Sequence, residues 1–256
     1  MSNIPLSTAG GATRRGGRAV APLPAWKRVV DLTFCVCALP GLALCTLFAA
    51  MLTSIASRGP IFFRQERVGL GGRRFWIYKF RTMHVSAPDA SHQFHFKELI
   101  RSGAPMQKLD ARGDSRLIPG ARFLRASGFD ELPQILNVLR GEMSVVGPRP
   151  CIPYEFDQFT SEQQRRCDVV PGLTGLWQVS GKNRTTFEEM IRLDVRYTQT
   201  FSFWLDLSIM LRTAPALLIQ MADVGKKRKK PVAEVKPPAT TVPARSFSSP
   251  PFVRTR

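Results

Sequence analysis

The chain has 256 residues, 44% of them hydrophobic, and a formal net charge of +18. That length holds one sizeable domain with appendages, and the ordinary hydrophobic share confines any membrane-embedded part to a local segment. The charge excludes an acidic, polycation-binding protein and predicts attraction to polyanions: nucleic acid, anionic lipid or phosphate-bearing substrates.

Residues 1–23 are rich in Gly, Ala, Ser and Arg and show no apolar period, which predicts a disordered basic arm. It does not read as a secretory signal, because the apolar run behind it is too long and lacks a cleavage site. A membrane anchor is expected at 24–57. From Val29 to Ala56 the chain is almost continuously apolar, with Asp31 its only charge. As a helix this run measures about 42 Å, against a hydrocarbon core of about 30 Å. Pro40 and Gly41 interrupt it, and a proline inside a helix removes a hydrogen bond and bends the axis. Arg14, Arg15, Arg18, Lys27 and Arg28 precede the run, and Arg58, Arg64, Arg67, Arg73 and Arg74 follow it. Such flanks prefer the cytoplasm. A re-entrant helix–break–helix, dipping in and returning at Pro40, satisfies both features; a kinked single span is the alternative.

Residues 58–221 read as the globular domain. Ile61 to Phe80 alternates well enough for two strands around Gly69, Gly71 and Gly72. No Gly-Lys-Ser/Thr follows those glycines, so a hairpin turn is expected there rather than a phosphate-cradling loop. Val85 to Gly113 is polar with a short helix, and its His92 and His95 lack a third metal ligand. Leu117 to Leu124 leads into Arg125.

Phe129 to Pro150 then reads FDELPQILNVLRGEMSVVGPRP. Asp130 and Glu131 stand ahead of an expected helix whose Leu132, Ile135, Leu136 and Leu139 share one buried face. The acidic pair reads two ways. Negative charge suits a helix N-terminus, and an Asp beside a Glu near cations also suits a nucleophile or an Mg²⁺ ligand.

Tyr154 to Cys167 is polar and helical in pattern. Pro171 to Thr186 is a Gly-rich loop with Trp177, Lys182 and Arg184, suited either to a nucleotide diphosphate or to an ordinary turn with a packed Trp. Phe187 to Thr200 predicts a helix, with Arg192, Asp194 and Arg196 placed for ion pairs. Phe201 to Gln220 is apolar but interrupted by Asp206, Arg212 and Pro215, which fits a helix half-sunk in a membrane interface or packed on the core. A disordered basic, Pro-rich tail is expected at 222–256, where the run Lys226–Lys230 would lean on anionic lipid. The cysteines, Cys35, Cys37, Cys45, Cys151 and Cys167, show no C-x-x-C spacing, so neither zinc nor a disulfide framework is indicated, and their odd number suits a reducing compartment.

Asp130 to Pro150 resembles the signature of the bacterial sugar transferases, monotopic phosphoglycosyl transferases that begin exopolysaccharide and O-antigen assembly. Their pattern reads DELPQL-x-NVL-x-G-x-MS-x-VGPRP, with Ile135 here in place of Leu. The similarity extends through FFRQERVG (Phe62 to Gly69), YKFRTM (Tyr78 to Met83) and PGLTGLWQVSGKN (Pro171 to Asn183), covering about Lys27 to Gln220. The resemblance implies an α+β fold: a re-entrant anchor, a small catalytic domain of helices and a β-hairpin, and amphipathic interfacial helices. Many members carry Ser-Pro at the break, where this chain has Leu39-Pro40.

The resemblance also implies a reaction. A nucleotide-diphosphate sugar, with uridine as the expected base and galactose or glucose favoured among sugars that also include N-acetylated ones, gives its sugar 1-phosphate to undecaprenyl phosphate. Asp130 would be the nucleophile and touch Mg²⁺, and Glu131 would orient it or assist proton transfer. Arg125, Arg149 and Lys79 would clamp phosphate, with Arg81, Lys182 and Arg184 as further binding residues. The catalytic domain would face the cytoplasm on the anionic inner membrane; a homo-oligomer is left open. The rival readings are a membrane-tethered nucleic-acid-binding protein and a non-catalytic scaffold of the same fold. Cations spread along the whole chain and the lack of a helix-turn-helix or RNA-binding aromatic motif disfavour the first, and the intact Asp130–Glu131 pair disfavours the second.

Overall fold

The computed structural model describes residues 23–56, 59–84, 103–105 and 116–227. The basic arm, His92 and His95 with most of their segment, and the tail from 228 onward lie outside the described residues, and so do the expectations that fall on them.

Helix α1 runs from Ala25 to Ala56 with Pro40 inside it. Its 32 residues give a length of about 48 Å. One helical element runs through Pro40, which forfeits one hydrogen bond and is the point at which the axis can bend. Its charged residues are confined to its start. Lys27 and Asp31 are buried and share a face at i, i+4. Lys27 Nζ donates to Val146 O (2.8 Å) and to the Tyr197 hydroxyl (3.0 Å) and pairs with Asp206. Arg28 donates to the carbonyls of Val138 (2.5 Å) and Leu139 (2.6 Å). Asp31 Oδ1 accepts from Ser144 Oγ and from the Val145 amide. Beyond that grip the helix turns apolar side chains outward: Val36, Leu44, Leu47 and Met51 are exposed, while Cys35, Leu42 and Ala49 face the domain.

Strands β1 (Phe62–Val68) and β2 (Arg74–Phe80) form an antiparallel hairpin in which Phe62 pairs with Phe80 and Val68 with Arg74. Gly71 and Gly72 turn it at φ of 62° and 78°, a region in which glycine alone carries no Cβ penalty. The expected hairpin is present.

Helix α2 (Ala121–Ser127) ends at Gly128, and a 3₁₀ turn from Phe129 to Gln134 leads into α3 (Ile135–Arg140). The carboxylates lie inside this turn, ahead of the α-helix as expected. The Glu131 amide reaches back to Gly128 O at 3.0 Å, the i→i−3 bond of a tighter helix, and Pro133 has no N–H with which to prolong an α ladder. The buried face also differs from the leucine pattern. Ile135, Val138 and the polar Asn137 are fully buried, whereas Leu132, Leu136 and Leu139 are half-buried. Asn137 is satisfied along β2: its amide nitrogen donates to Trp76 O at 2.7 Å, and its oxygen accepts from the Tyr78 amide at 3.4 Å.

Strand β3 (Ser144–Val146) pairs in parallel with β4 (Gly172–Thr174). A parallel pair requires a long connection; here it includes the single-turn α4 (Pro153–Phe156) and a 3₁₀ turn from Gln163 to Cys167, so the expected helix over Tyr154–Cys167 is broken into two short pieces. The segment read as a Gly-rich loop is instead β4, a short helix α5 (Leu176–Val179) and a turn at Lys182–Arg184. Its glycines serve close backbone approach: a Cβ on Gly172 would lie 2.1 Å from Gly147 N. Trp177 is core, with Nε1 donating to Thr185 Oγ1 at 2.6 Å.

Helix α6 (Phe187–Thr200) has the predicted bounds, capped by Thr186 Oγ1, which accepts from the Glu189 amide. Helix α7 (Phe203–Lys227) continues past Met221, through Pro215. It buries Asp206 and Ile209 and exposes Trp204, Leu211, Leu218 and Ile219. By length and composition, α1 and α7 are each long and apolar enough to cross a membrane. Between them lies the core of Cys35, Ile77, Ile135, Val138, Met143, Val145, Val146, Tyr197 and Ile209.

Candidate active site

The 3₁₀ turn packs against β2 and brings Glu131 beneath the end of the hairpin. Lys79, facing inward from β2, donates to Glu131 Oε1 at 2.7 Å. Arg149 Nη1 lies 3.9 Å from the same oxygen, held by the Pro148–Pro150 segment that leaves β3. Asp130 is buried with 7% exposure and contributes to the field at Lys79. These groups border a cavity lined by Arg67, Lys79, Glu131, Gln134, Arg149 and Gln178. Expected residues Lys79, Glu131 and Arg149 thus meet around one opening, with Asp130 beside them.

The charge in this cavity is weighted toward cations. Burial pushes the Lys79 ammonium pKa down, and Arg149 and Arg67 push it the same way, against the pull of Glu131 and Asp130. Arg67 is brought down to about 10 by burial first and by Arg149 second. It stays charged at neutral pH, and burial and the repulsion of Arg149 are what disfavour its charge. An incoming phosphate would offset both.

Arg67 was not singled out from the sequence as a site residue. It is buried at the end of β1 beside Val68, and its guanidinium donates to Pro150 O (3.2 Å) and Gln65 Oε1 (2.7 Å). The FFRQERVG motif was the available signal, but a period-2 pattern does not distinguish a buried arginine from a surface one.

The other expected residues lie around this centre or apart from it. Arg125, half-buried on α2, donates to Thr82 Oγ1 at 3.2 Å, and the Gln220 amide from α7 donates to its carbonyl at 3.3 Å. Arg81 is buried just beyond β2, its amide bonded to Ile61 O. Lys182 and Arg184 sit on their own turn, Lys182 with φ of 39°, and neither lines the cavity. Pro40 lies within α1, remote in sequence from all of these. Among the described residues no His, Cys, Asp or Glu side chains gather in groups of three or more. The adjacent Asp130 and Glu131 fit the way Mg²⁺ is commonly held, by one or two carboxylates together with substrate phosphates.

The chain is 39% identical over 196 residues to "Galactosyl transferase CpsE" of Streptococcus agalactiae serotype III, covering 75% of this chain and 42% of that protein. It is 42% identical over 200 residues to a "UDP-glucose:undecaprenyl-phosphate glucose-1-phosphate transferase" of Caulobacter vibrioides, covering 75% and 69%. It is 34% identical over 160 residues to an "Undecaprenyl-phosphate galactose phosphotransferase" of Salmonella typhimurium, covering 62% and 34%. The chain therefore spans under half the length of two of these relatives and about two thirds of the third. The profile of the family described as "Bacterial sugar transferase" matches residues 23–220, and with most of its length inside that match the chain belongs to the bacterial sugar transferase family.

Proposed function

We propose that this protein transfers a sugar 1-phosphate from a nucleotide-diphosphate sugar to undecaprenyl phosphate, with Asp130 as covalent nucleophile. The observation that carries the reading is the convergence of Lys79 and Arg149 on Glu131, beside buried Asp130, in a cavity with more cations than anions.

Both substrates are anionic, and like charges brought together in a low-dielectric site repel strongly unless neutralised. Arg149, Lys79 and Arg67 border the cavity where the diphosphate would lie. Asp130 attacks the sugar-bearing phosphorus; the bond to the bridging oxygen breaks and the nucleoside monophosphate leaves. A phosphate oxygen of undecaprenyl phosphate then attacks the same phosphorus, releasing the Asp130 carboxylate and forming the lipid diphosphate sugar. Dividing the transfer in this way lets two bulky substrates use one site in turn. Glu131, fixed by Lys79 and Arg149, orients the turn that presents Asp130. Mg²⁺, held by Asp130 and the diphosphate, would supply neutralising charge.

The relatives' names divide between galactose and glucose, and we assign UDP-galactose or UDP-glucose as the donor. The outward apolar faces of α1 and α7 suit an inner-membrane location with the cavity toward the cytoplasm. A re-entrant α1 is the reading that keeps both Arg-rich flanks on that side. Single cysteines placed near residues 20 and 65 test the path: both should label from the cytoplasm alone, and labelling of the first from outside would establish a full crossing. The activity itself is tested by supplying the purified chain with undecaprenyl phosphate and labelled UDP-galactose or UDP-glucose, with label expected in the lipid fraction. Label that stays in the aqueous phase for both donors would refute the assignment.

A further inference from the structure

The motif that supplies Arg149 is held by a buried ion pair lying outside every motif used above. Arg166, from the Gln163–Cys167 turn, and Asp194, from α6, form a salt bridge with side chains 2% and 1% exposed. Arg166 Nη2 donates to Arg149 O at 2.9 Å, and the Asp194 carboxylate accepts from the Arg149 amide. Both backbone groups of Arg149 are therefore bound by the two halves of one ion pair. On either side, Pro148 O accepts from the Gly172 amide (2.9 Å) and Pro150 O from Arg67 Nη1 (3.2 Å). Neither proline has an N–H. Every backbone polar group from Pro148 to Pro150 thus has a partner, although the segment belongs to no helix or strand.

A buried ion pair is weak evidence for stability, whereas the bonds of this one to the Arg149 backbone are specific. Burial raises the Asp194 carboxyl from its ordinary 3.8 to about 6, against the opposing pull of Arg166 and Arg149. Between those values the folded chain holds a proton that the unfolded chain has released, so stability falls as pH rises through the interval. Asp194 in return raises the Arg166 guanidinium against the effect of burial, and an apolar pair of the same volume often matches such a bridge in stability. What two apolar side chains of the same volume would lack is a donor for Arg149 O and an acceptor for its N–H.

We infer that Arg166 and Asp194 are positioning residues, fixing the Arg149 backbone so that its guanidinium reaches the Glu131 side of the cavity. This inference rests on the functional reading above only for its kinetic consequence; the structural consequence stands alone. Neither residue touches the cavity. Each acts through Arg149, where a displacement of about 1 Å costs roughly a hundredfold in a well-oriented reaction.

The test replaces the pair as a unit, Arg166→Met with Asp194→Leu, so that no lone charge is left buried, in the purified full chain. In hydrogen exchange, Arg149 provides the single exchangeable amide between Gly147 and Cys151. It should exchange much faster in the double variant while the Val145 and Val146 amides stay protected. Transfer from labelled UDP-galactose or UDP-glucose to undecaprenyl phosphate should fall about tenfold to a hundredfold. Adding the pair of substitutions to Arg149→Ala should cost nothing further, because the pair acts only through that side chain. Unchanged Arg149 exchange, or kinetic losses that simply multiply, would overturn the inference. Wild-type protein that transfers from neither donor refutes the functional reading instead, and the exchange measurement still decides the brace. Should the double variant fail to fold, Arg166→Gln with Asp194→Leu keeps a neutral donor near Arg149 O, removes the acceptor of the Arg149 amide and leaves no lone buried charge, and the same exchange and additivity criteria apply to it.

Discussion

Two lysines sit against carboxylates in this molecule, and their surroundings differ in a way that separates holding the fold from doing chemistry. Lys27 is enclosed: its ammonium is shared among Asp206, the Tyr197 hydroxyl and Val146 O, which uses all three of its donors. Lys79 shares Glu131 with Arg149, and Arg67 borders the same cavity. At the first site the charges balance and solvent is excluded, with side chains 4% exposed on both partners. At the second the cations exceed Glu131, whose side chain is 26% exposed and that of Arg149 30%. A closed, balanced pair joins elements; an open, cation-rich cluster beside a buried carboxylate is prepared for an anion that the chain itself does not supply.

The comparison breaks most sharply at Asp130. Asp130→Asn should lower transfer by a thousandfold or more, since an amide cannot form an acyl phosphate, with membrane binding and melting temperature unchanged; a radiolabelled lipid assay and a thermal melt read both. Arg149→Ala should cost about a hundredfold in kcat, the scale for loss of a preorganised charge-stabilising donor, again with little change in melting temperature.

Lys27→Met should reverse the pattern. It strands Asp206 in the interior, which costs about 3–5 kcal/mol of stability, while the molecules that remain folded should transfer normally. Adding Asp206→Leu should restore most of the loss, which denaturant melts would detect. Had the two lysines the same role, both substitutions would move the same observable. At the small end, deleting residues 228–256 should change activity in detergent by less than about twofold, because the screened attraction of a basic tail to lipid does not operate there.

How much of this was legible in the sequence follows the range of the interactions. The hairpin was readable because Gly69, Gly71 and Gly72 separate two alternating runs, and α6 because Thr186 caps a periodic segment that ends at Thr200; those signals are local. The β3–β4 pair was not, since Val146 finds Thr174 across an intervening connection that leaves no periodic trace in either three-residue strand. Asn137 broke the leucine-face expectation because its partners, Trp76 and Tyr78, belong to a distant strand. In the site, the family's motif named Asp130, Glu131, Arg149 and Lys79. Arg67 and Arg166 became visible as such only once the fold set them against the carbonyls of Pro150 and Arg149, and Asp194 once it met the Arg149 amide. Long-range burial of charge carries no sequence period of its own.

The most direct test of the central claim is to look for the covalent intermediate. Purified chain is incubated with UDP-galactose or UDP-glucose labelled at the sugar-bearing phosphorus, without acceptor, and digested for mass spectrometry. A phosphosugar adduct should appear on the peptide containing Asp130, be absent from the Asp130→Asn variant, and disappear when undecaprenyl phosphate is added, as label enters the lipid. Transfer to lipid at a wild-type rate by the Asp130→Asn variant, with no adduct on either protein, would contradict the account.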